Sequence, residues 1–470
     1  MCDLCRRSFL RGAVAAGASA LLSTTALAAK ARPAPERGEF IIRNAHIMTM
    51  DATLGDIADG SIHVKDGAIV AVGQDVKAPG AKAINGKDMI VMPGLIDTHW
   101  HCWKTLYRSF SGDEPANGYF PTVARFGQQM MPDDIYHSVR LSAAEAINSG
   151  TTFIHDWFHN VRSRAHAEAD IKALQEAGIR SRFSCGWAQG LPDTQLVDQA
   201  TLEGLAADWK NHANGGLISL GMAWRGQIRV QKIPEEIHSK EFENARRLGL
   251  PITLHAASSR KAVGQITDLF NAKLLGKDVQ VIHALSATPD EMKMLADTGT
   301  ALSLSPGSEL RIGYGLASMT ELIAAGISIG ISLDTAALTG NANLFNVLKL
   351  LRDAENAKTE SEFKLSARKA LEIGTIGGAR SMGIDDKVGS LKPGKRADLI
   401  LINTNKLNMA VMTDVAHLVL ECTGPENIDT VMVDGRILKR NGKLTVLDAD
   451  AVVKGAREAL EGVRKRTAWR

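Results

Sequence analysis

The sequence predicts an α/β chain: a (β/α)8 TIM barrel with a small discontinuous β-sandwich domain formed by both chain ends. Three observations carry that expectation. Short apolar segments alternate with helical ones through the middle of the chain. Alternating strands with tight turns occupy both ends. Histidines and one aspartate recur where the middle strands stop.

The first element is an N-terminal leader. Arg6-Arg7-Ser8-Phe9-Leu10-Arg11 precedes a small apolar run from Gly12 to Leu27 that closes on Ala26-Leu27-Ala28. A basic start, a modest apolar stretch and an A-x-A site describe an export signal over residues 1–28, too short and too weakly apolar for a stable span. The paired arginines resemble the twin-arginine export motif, which places the mature protein in the periplasm or outside the cell, with no stable membrane association after cleavage.

Composition sets the class of partner. The chain has 470 residues, 45% hydrophobic and 23% charged, and its 55 basic residues nearly balance 52 acidic ones. That is soluble-enzyme composition, and it gives no reason to expect a nucleic-acid partner. Cys2 and Cys5 fall inside the leader, and Cys102, Cys185 and Cys422 are too widely spaced for a disulfide framework.

Residues 38–92 and 388–446 are expected to share one composite β domain, because the same texture occurs in both. Phe40 to Met48, Gly60 to Lys65 and Ala68 to Val72 read as strands, with Asp66-Gly67 as a hairpin turn. Ala397 to Ile402 and Thr430 to Val433 repeat the pattern, with Asp434-Gly435 as the turn. A C-terminal helix is expected over 447–470.

Residues 93–387 supply the barrel. The first strand follows Pro93-Gly94 and ends in His99-Trp100-His101. Further strands are expected at 151–155, 181–185, 217–222, 251–255, 279–283, 301–304 and 327–334. Helices are expected at 132–148, 165–176, 235–248, 289–297 and 318–325. Eight units over roughly 290 residues match a barrel whose reactive groups project from the C-terminal strand ends. No Gly-x-Gly-x-x-Gly follows the first strand, which argues against a doubly wound sheet.

The polar residues at those strand ends have a shared use. His99 and His101 are two apart, so they point to the same face of a strand. His255, His283 and Asp334 end later strands. Imidazole nitrogens and a carboxylate bind zinc or ferrous iron, and ligand type does not separate the two metals.

Met92-Pro-Gly-Leu-Ile-Asp-Thr-His-Trp-His101, Thr253-Leu-His255, Val281-Ile-His283, Ser332-Leu-Asp334 and Gly389-Ser-Leu-Lys-Pro-Gly-Lys-Arg-Ala-Asp-Leu-Ile-Leu401 together resemble the amidohydrolase superfamily. The resemblance covers nearly everything after the leader. It is to the branch of cytosine, guanine and adenosine-analogue deaminases and s-triazine hydrolases. It implies that His99, His101, His255 and Asp334 hold one divalent metal ion. His283 contacts the water or the substrate, and Asp334 is both ligand and base. The fourth strand has no lysine, so a single-metal site is expected rather than a two-metal amidase or peptidase. Family members often form homodimers, and a small molecule is the expected substrate.

One departure matters. The branch's deaminases carry His-x-x-Glu after strand five, where the glutamate moves a proton to the leaving amine. Here the stretch is His255-Ala-Ala-Ser258, and a serine cannot do this by its own ionisation. Glu309, after strand seven, is the compensating proton shuttle to consider, and a catalytically silent periplasmic binding barrel is the non-enzymatic alternative. Trp103, Asp156, Trp157, His159, Arg225 and Ser258 are the candidate substrate-pocket residues, and 110–120 is long enough for a lid. The expected reaction is hydrolysis of a C–N, or C–Cl, bond in a nitrogen heterocycle, or of an amide.

Overall fold

The computed structural model describes residues 35–192, 195–226, 228 and 232–468. The export leader expected at 1–28 lies outside the described residues. Five strands come first: β1 (Phe40–Met48), β2 (Asp56–Lys65), β3 (Ala68–Gly73), β4 (Lys82–Asn85) and β5 (Met89–Pro93). Then come β6 (Leu95–Trp100), β7 (Thr151–Phe158), β8 (Arg180–Gly186), β9 (Ile218–Trp224), β10 (Ile252–Ala256), β11 (Val279–His283), β12 (Ala301–Leu304) and β13 (Ile329–Ile331). The chain ends with β14 (Leu399–Asn403), β15 (Ile428–Val433), β16 (Arg436–Arg440), β17 (Lys443–Leu444) and the helix Ala449–Thr467.

Strands β6 to β13 close into a parallel barrel. Both chain ends enter one nine-stranded sheet in the order β17-β16-β15-β14-β5-β1-β2-β3, with β4 on β1. The seam is β5 against β14, antiparallel from Leu399↔Pro93 to Asn403↔Met89. Residues more than 300 apart in sequence thus share a ladder because each strand alternates one face to the sheet's own core and one to the barrel. Val91, Leu399 and Leu401 pack in the sheet's core, while Ile90, Met92 and Ile400 join the barrel's.

The chain crosses from sheet to barrel at Gly94. A Cβ there would stand 2.1 Å from the Thr152 side chain, so only glycine fits this approach. A buried ion pair fastens the same junction: Arg180 on β8 donates twice to Asp398, at 2.6 and 3.0 Å, and Asp398 also accepts the Asp434 backbone N–H. The C-terminal helix packs against the helix Pro132–Asn148, where Gly455 lies close to the His137 ring.

The helices end where local chemistry demands. Pro132–Asn148 opens on proline with Asp133 and Asp134 in its first turn, which suits the helix dipole. Thr288 and Glu291 form a capping box at the start of Pro289–Thr298. The expected eighth strand, 327–334, is shortened to β13, and Asp334 beyond it takes a left-handed φ of 62°. Its backbone still bridges to strand one: Asp334 N–H donates to His99 O at 2.9 Å and His101 N–H to Asp334 O at 2.7 Å. Among the described residues no helix is long and apolar enough to cross a membrane.

Candidate metal centre at the barrel mouth

His99 is the penultimate residue of the buried strand β6 and His101 follows the strand directly, so alternation aims both rings at the barrel axis. His255 is near the end of β10, and Asp334 lies just beyond β13. One ligand atom from each of the four lies within 4.8 Å of the others. His99 Nε2 and His101 Nε2 stand 3.4 and 3.2 Å from Asp334 Oδ1, and His255 Nε2 is 3.2 Å from His99 Nε2. A tetrahedral ion with bonds of about 2.0–2.1 Å holds its ligand atoms roughly 3.4 Å apart, so the donor set fits such a cation.

Protonation favours ligation. Burial pulls His99 down to about 4 and His101 to about 3, so both imidazoles are neutral near pH 7. His255 is lowered by burial too, with the neighbouring His99 adding to the effect. Burial alone raises an aspartate, but the His101 and His99 rings beside its carboxylate outweigh that and hold Asp334 well below the usual carboxylate range. His101 Nδ1 lies 3.1 Å from the Trp157 carbonyl, which fixes the proton there and frees Nε2 for a metal. Asp97 braces the set from below, accepting the backbone N–H groups of His99 at 3.1 Å and Leu333 at 3.2 Å.

His283 stands beside these four, its ring centroid 5.3 Å from that of His255 and its φ in the left-handed region at 81°. Strained backbone at strand ends is a mark of reactive sites. Its Nδ1 is 2.9 Å from Glu309 Oε1, which also accepts the Ser305 N–H at 2.8 Å. Glu309, the candidate proton shuttle, has its carboxylate buried against His283. Ser258 is buried three residues past His255.

The expected pocket residues divide. Trp157 lies beneath the site, 4.5 Å from the His255 ring and 5.1 Å from that of His101, with its Nε1 bonded to Thr253 O. His159 packs 4.4 Å from His101 and accepts from Trp103 Nε1 at 3.4 Å. Asp156 does not face the pocket. Strand alternation sends it outward, beside Asp170 of the helix Arg164–Ala177. Arg225 is also turned away and pairs with Glu241 at 3.2 Å on the helix Glu235–Arg247.

Three groups around the site escape the sequence reading. Lys104 is in the turn of helix after His101 and only 4% exposed, and its Nζ donates to Tyr119 Oη at 2.8 Å. Burial pulls it down to about 7, partly opposed by Asp334. Tyr119 opens the helix Tyr119–Gly127 at the end of the expected lid segment. Tyr314 stands edge-on to His283 at 5.7 Å. A lysine or tyrosine in a loop carries no periodic signal, so only its position relative to the histidines could have marked it.

This is a four-residue candidate metal cluster at the C-terminal mouth of a parallel barrel, and comparison with known proteins places the chain in a class. Residues 90–438 match the Amidohydrolase family, and the chain belongs to that family. It is therefore an enzyme of the metal-dependent hydrolase class. A 5'-deoxyadenosine deaminase of Methanosarcina acetivorans is 27% identical over 438 residues, covering 90% of this chain and 98% of that protein. A 5-methylthioadenosine/S-adenosylhomocysteine deaminase of Acetivibrio thermocellus is 28% identical, covering 90% and 99%. In fold, the chain is similar to an adenosine deaminase from Xanthomonas campestris with bound zinc (TM-score 0.79, 21% identity, 92% of this chain and 100% of that one). It is also similar to the zinc complex of atrazine chlorohydrolase from Arthrobacter aurescens (TM-score 0.78, 22% identity, 90% and 100%).

Proposed function

We propose that the chain is a single-metal hydrolase that removes an amino group, or a comparable leaving group such as chloride, from a nitrogen heterocycle. The observation that carries this reading is the convergence of His99, His101, His255 and Asp334 beside a His283–Glu309 pair. The deaminase relatives and the heterocycle-hydrolysing structural neighbours support the substrate class. Strand β9 carries no lysine or carboxylate, which supports one ion rather than two. Zinc and iron both suit three imidazoles and a carboxylate.

A divalent ion held by these four residues supplies Lewis acidity and makes water nucleophilic near neutral pH. The chain's own groups do the rest. Asp334 lies within reach of both histidines of strand one and accepts the proton of the attacking water. Glu309 holds the Nδ1 proton of His283, which presents Nε2 to the reacting centre. With Ser258 unable to shuttle a proton, His283 Nε2 takes the proton that Asp334 accepted and hands it to the leaving atom, the Nδ1 proton staying hydrogen-bonded to Glu309 throughout. Trp157 and Trp103 exclude water from beneath and beside the site.

The test is elemental analysis of the protein and an Asp334→Ala variant, followed by assay of ammonia or chloride release from purine, pyrimidine and triazine substrates. The expected result is about one equivalent of zinc or iron, lost in the variant together with turnover. Two equivalents would overturn the single-ion site, and one equivalent with no turnover of any ring would overturn the substrate class.

A further inference from the structure

Lys104 is a buried amine that no carboxylate meets among the described residues. Among the described residues it makes no ion pair, and Tyr119 Oη, a neutral group, is its hydrogen-bond partner at 2.8 Å. The ammonium lies 5.4 Å from the Trp103 ring and 5.1 Å from that of Tyr119, so aromatic faces wall it in. It sits at the mouth of the barrel: Asp334 is the charged group that acts on it, and its own charge acts on His99, His101 and His159. The acids of the site are engaged elsewhere: Asp334 belongs to the metal cluster, and Glu309 is bonded to His283 and Ser305. Lys104 is thus left with no carboxylate of the chain to pair with and is placed to pair with an anion brought to it.

A purely packing role does not account for this placement. A lysine that only fills space sends its ammonium to water along the surface, whereas this one is aimed inward and pinned by a tyrosine. Tyr119 is pinned in turn. Its hydroxyl is close to Thr335, the residue after Asp334, and its surroundings include Tyr314, which faces His283. Lys104, Tyr119 and Tyr314 thus lie on the side of the metal cluster where Thr335 and His283 stand.

We propose that Lys104 is a substrate-binding residue that receives a negatively charged oxygen, a carboxylate or a ring oxyanion, carried by the nitrogen heterocycle. The inference rests on the heterocycle hydrolase reading and narrows it. The preferred substrates are anionic rings, and rings whose only substituents are neutral fit less well. No covalent step is assigned to the lysine.

The probes are pyrimidine, purine and triazine carboxylates with their matching uncharged carboxamides, titrated calorimetrically into metal-loaded protein. Wild type binds at least one acid about 30-fold more tightly than its amide, and Lys104→Met and Lys104→Gln abolish the preference without changing metal content. Equal binding of acid and amide by wild type, no binding of any acid, or an acid preference that survives in both variants overturns the proposal. Turnover separates this failure from failure of the parent reading. If neutral rings are hydrolysed and the acid preference is absent, the reaction stands and the anchor falls. If acids bind through Lys104 but no ring is hydrolysed, the anchor stands and the reaction falls.

Discussion

Glu309 shows how one side chain acquires a role through its neighbour. It is buried, and its Oε1 takes both the His283 Nδ1 proton and the Ser305 N–H. A carboxylate so engaged sets the tautomer and orientation of the ring and does not itself reach the substrate. Glu309→Gln keeps the shape but removes the charge that stabilises a protonated His283. We predict that kcat falls about 10- to 100-fold, the range for loss of a group that orients a site histidine, with KM and bound metal nearly unchanged. A loss of metal equal to the loss of rate would assign Glu309 to folding of the site instead.

At the scale of elements, the outer face of β7 meets the helix Arg164–Ala177 through two acids. Asp156 and Asp170 are both fully buried against each other. Burial pushes Asp156 up to about 7, and burial together with its partner's charge raises Asp170 well above the usual range. The sign follows from the reference state, where an unfolded aspartate ionises near about 3.9. A group raised in the fold stabilises fully below that value, and the contribution is lost as pH rises through its folded value. We therefore predict stability that declines between roughly pH 4 and 7 on this account, and a flatter profile for Asp156→Asn. Urea midpoints measured across that range decide it, and an unchanged slope in the variant would show that other groups control the decline.

Among the described residues, strands from both ends of the sequence form one sheet joined to the closed barrel, and the candidate metal ligands stand at or just past the C-terminal ends of β6, β10 and β13. Arg6-Arg7 at the chain start suits delivery after folding, which would let the metal centre assemble first. We propose that the protein is exported. Replacing both arginines by lysine should leave full-length precursor in the cytoplasm, as read by fractionation and immunoblotting. Delivery of the double variant at the wild-type level would remove this proposal.

What the sequence determines by itself is local and periodic. The helix Pro132–Asn148 begins and ends where its proline, first-turn acids and following glycine put it, and β11 and β12 have the bounds their apolar runs imply. The ligand histidines are legible too, because alternation fixes their face and strand ends fix their height. Asp334 was legible as a residue but not as a conformation, since its left-handed backbone is held by hydrogen bonds to strand one, more than 230 positions away. Asp156 and Arg225 show the converse. Each lies next to a strand end, yet the adjacent residues Trp157 and Trp224 decide which face remains, and each acid or base finds its partner on a surrounding helix. Lys104, Tyr119 and the Glu309–His283 contact were decided by tertiary structure alone. Charge placement in a buried chamber depends on distances between loops that no spacing along the chain records.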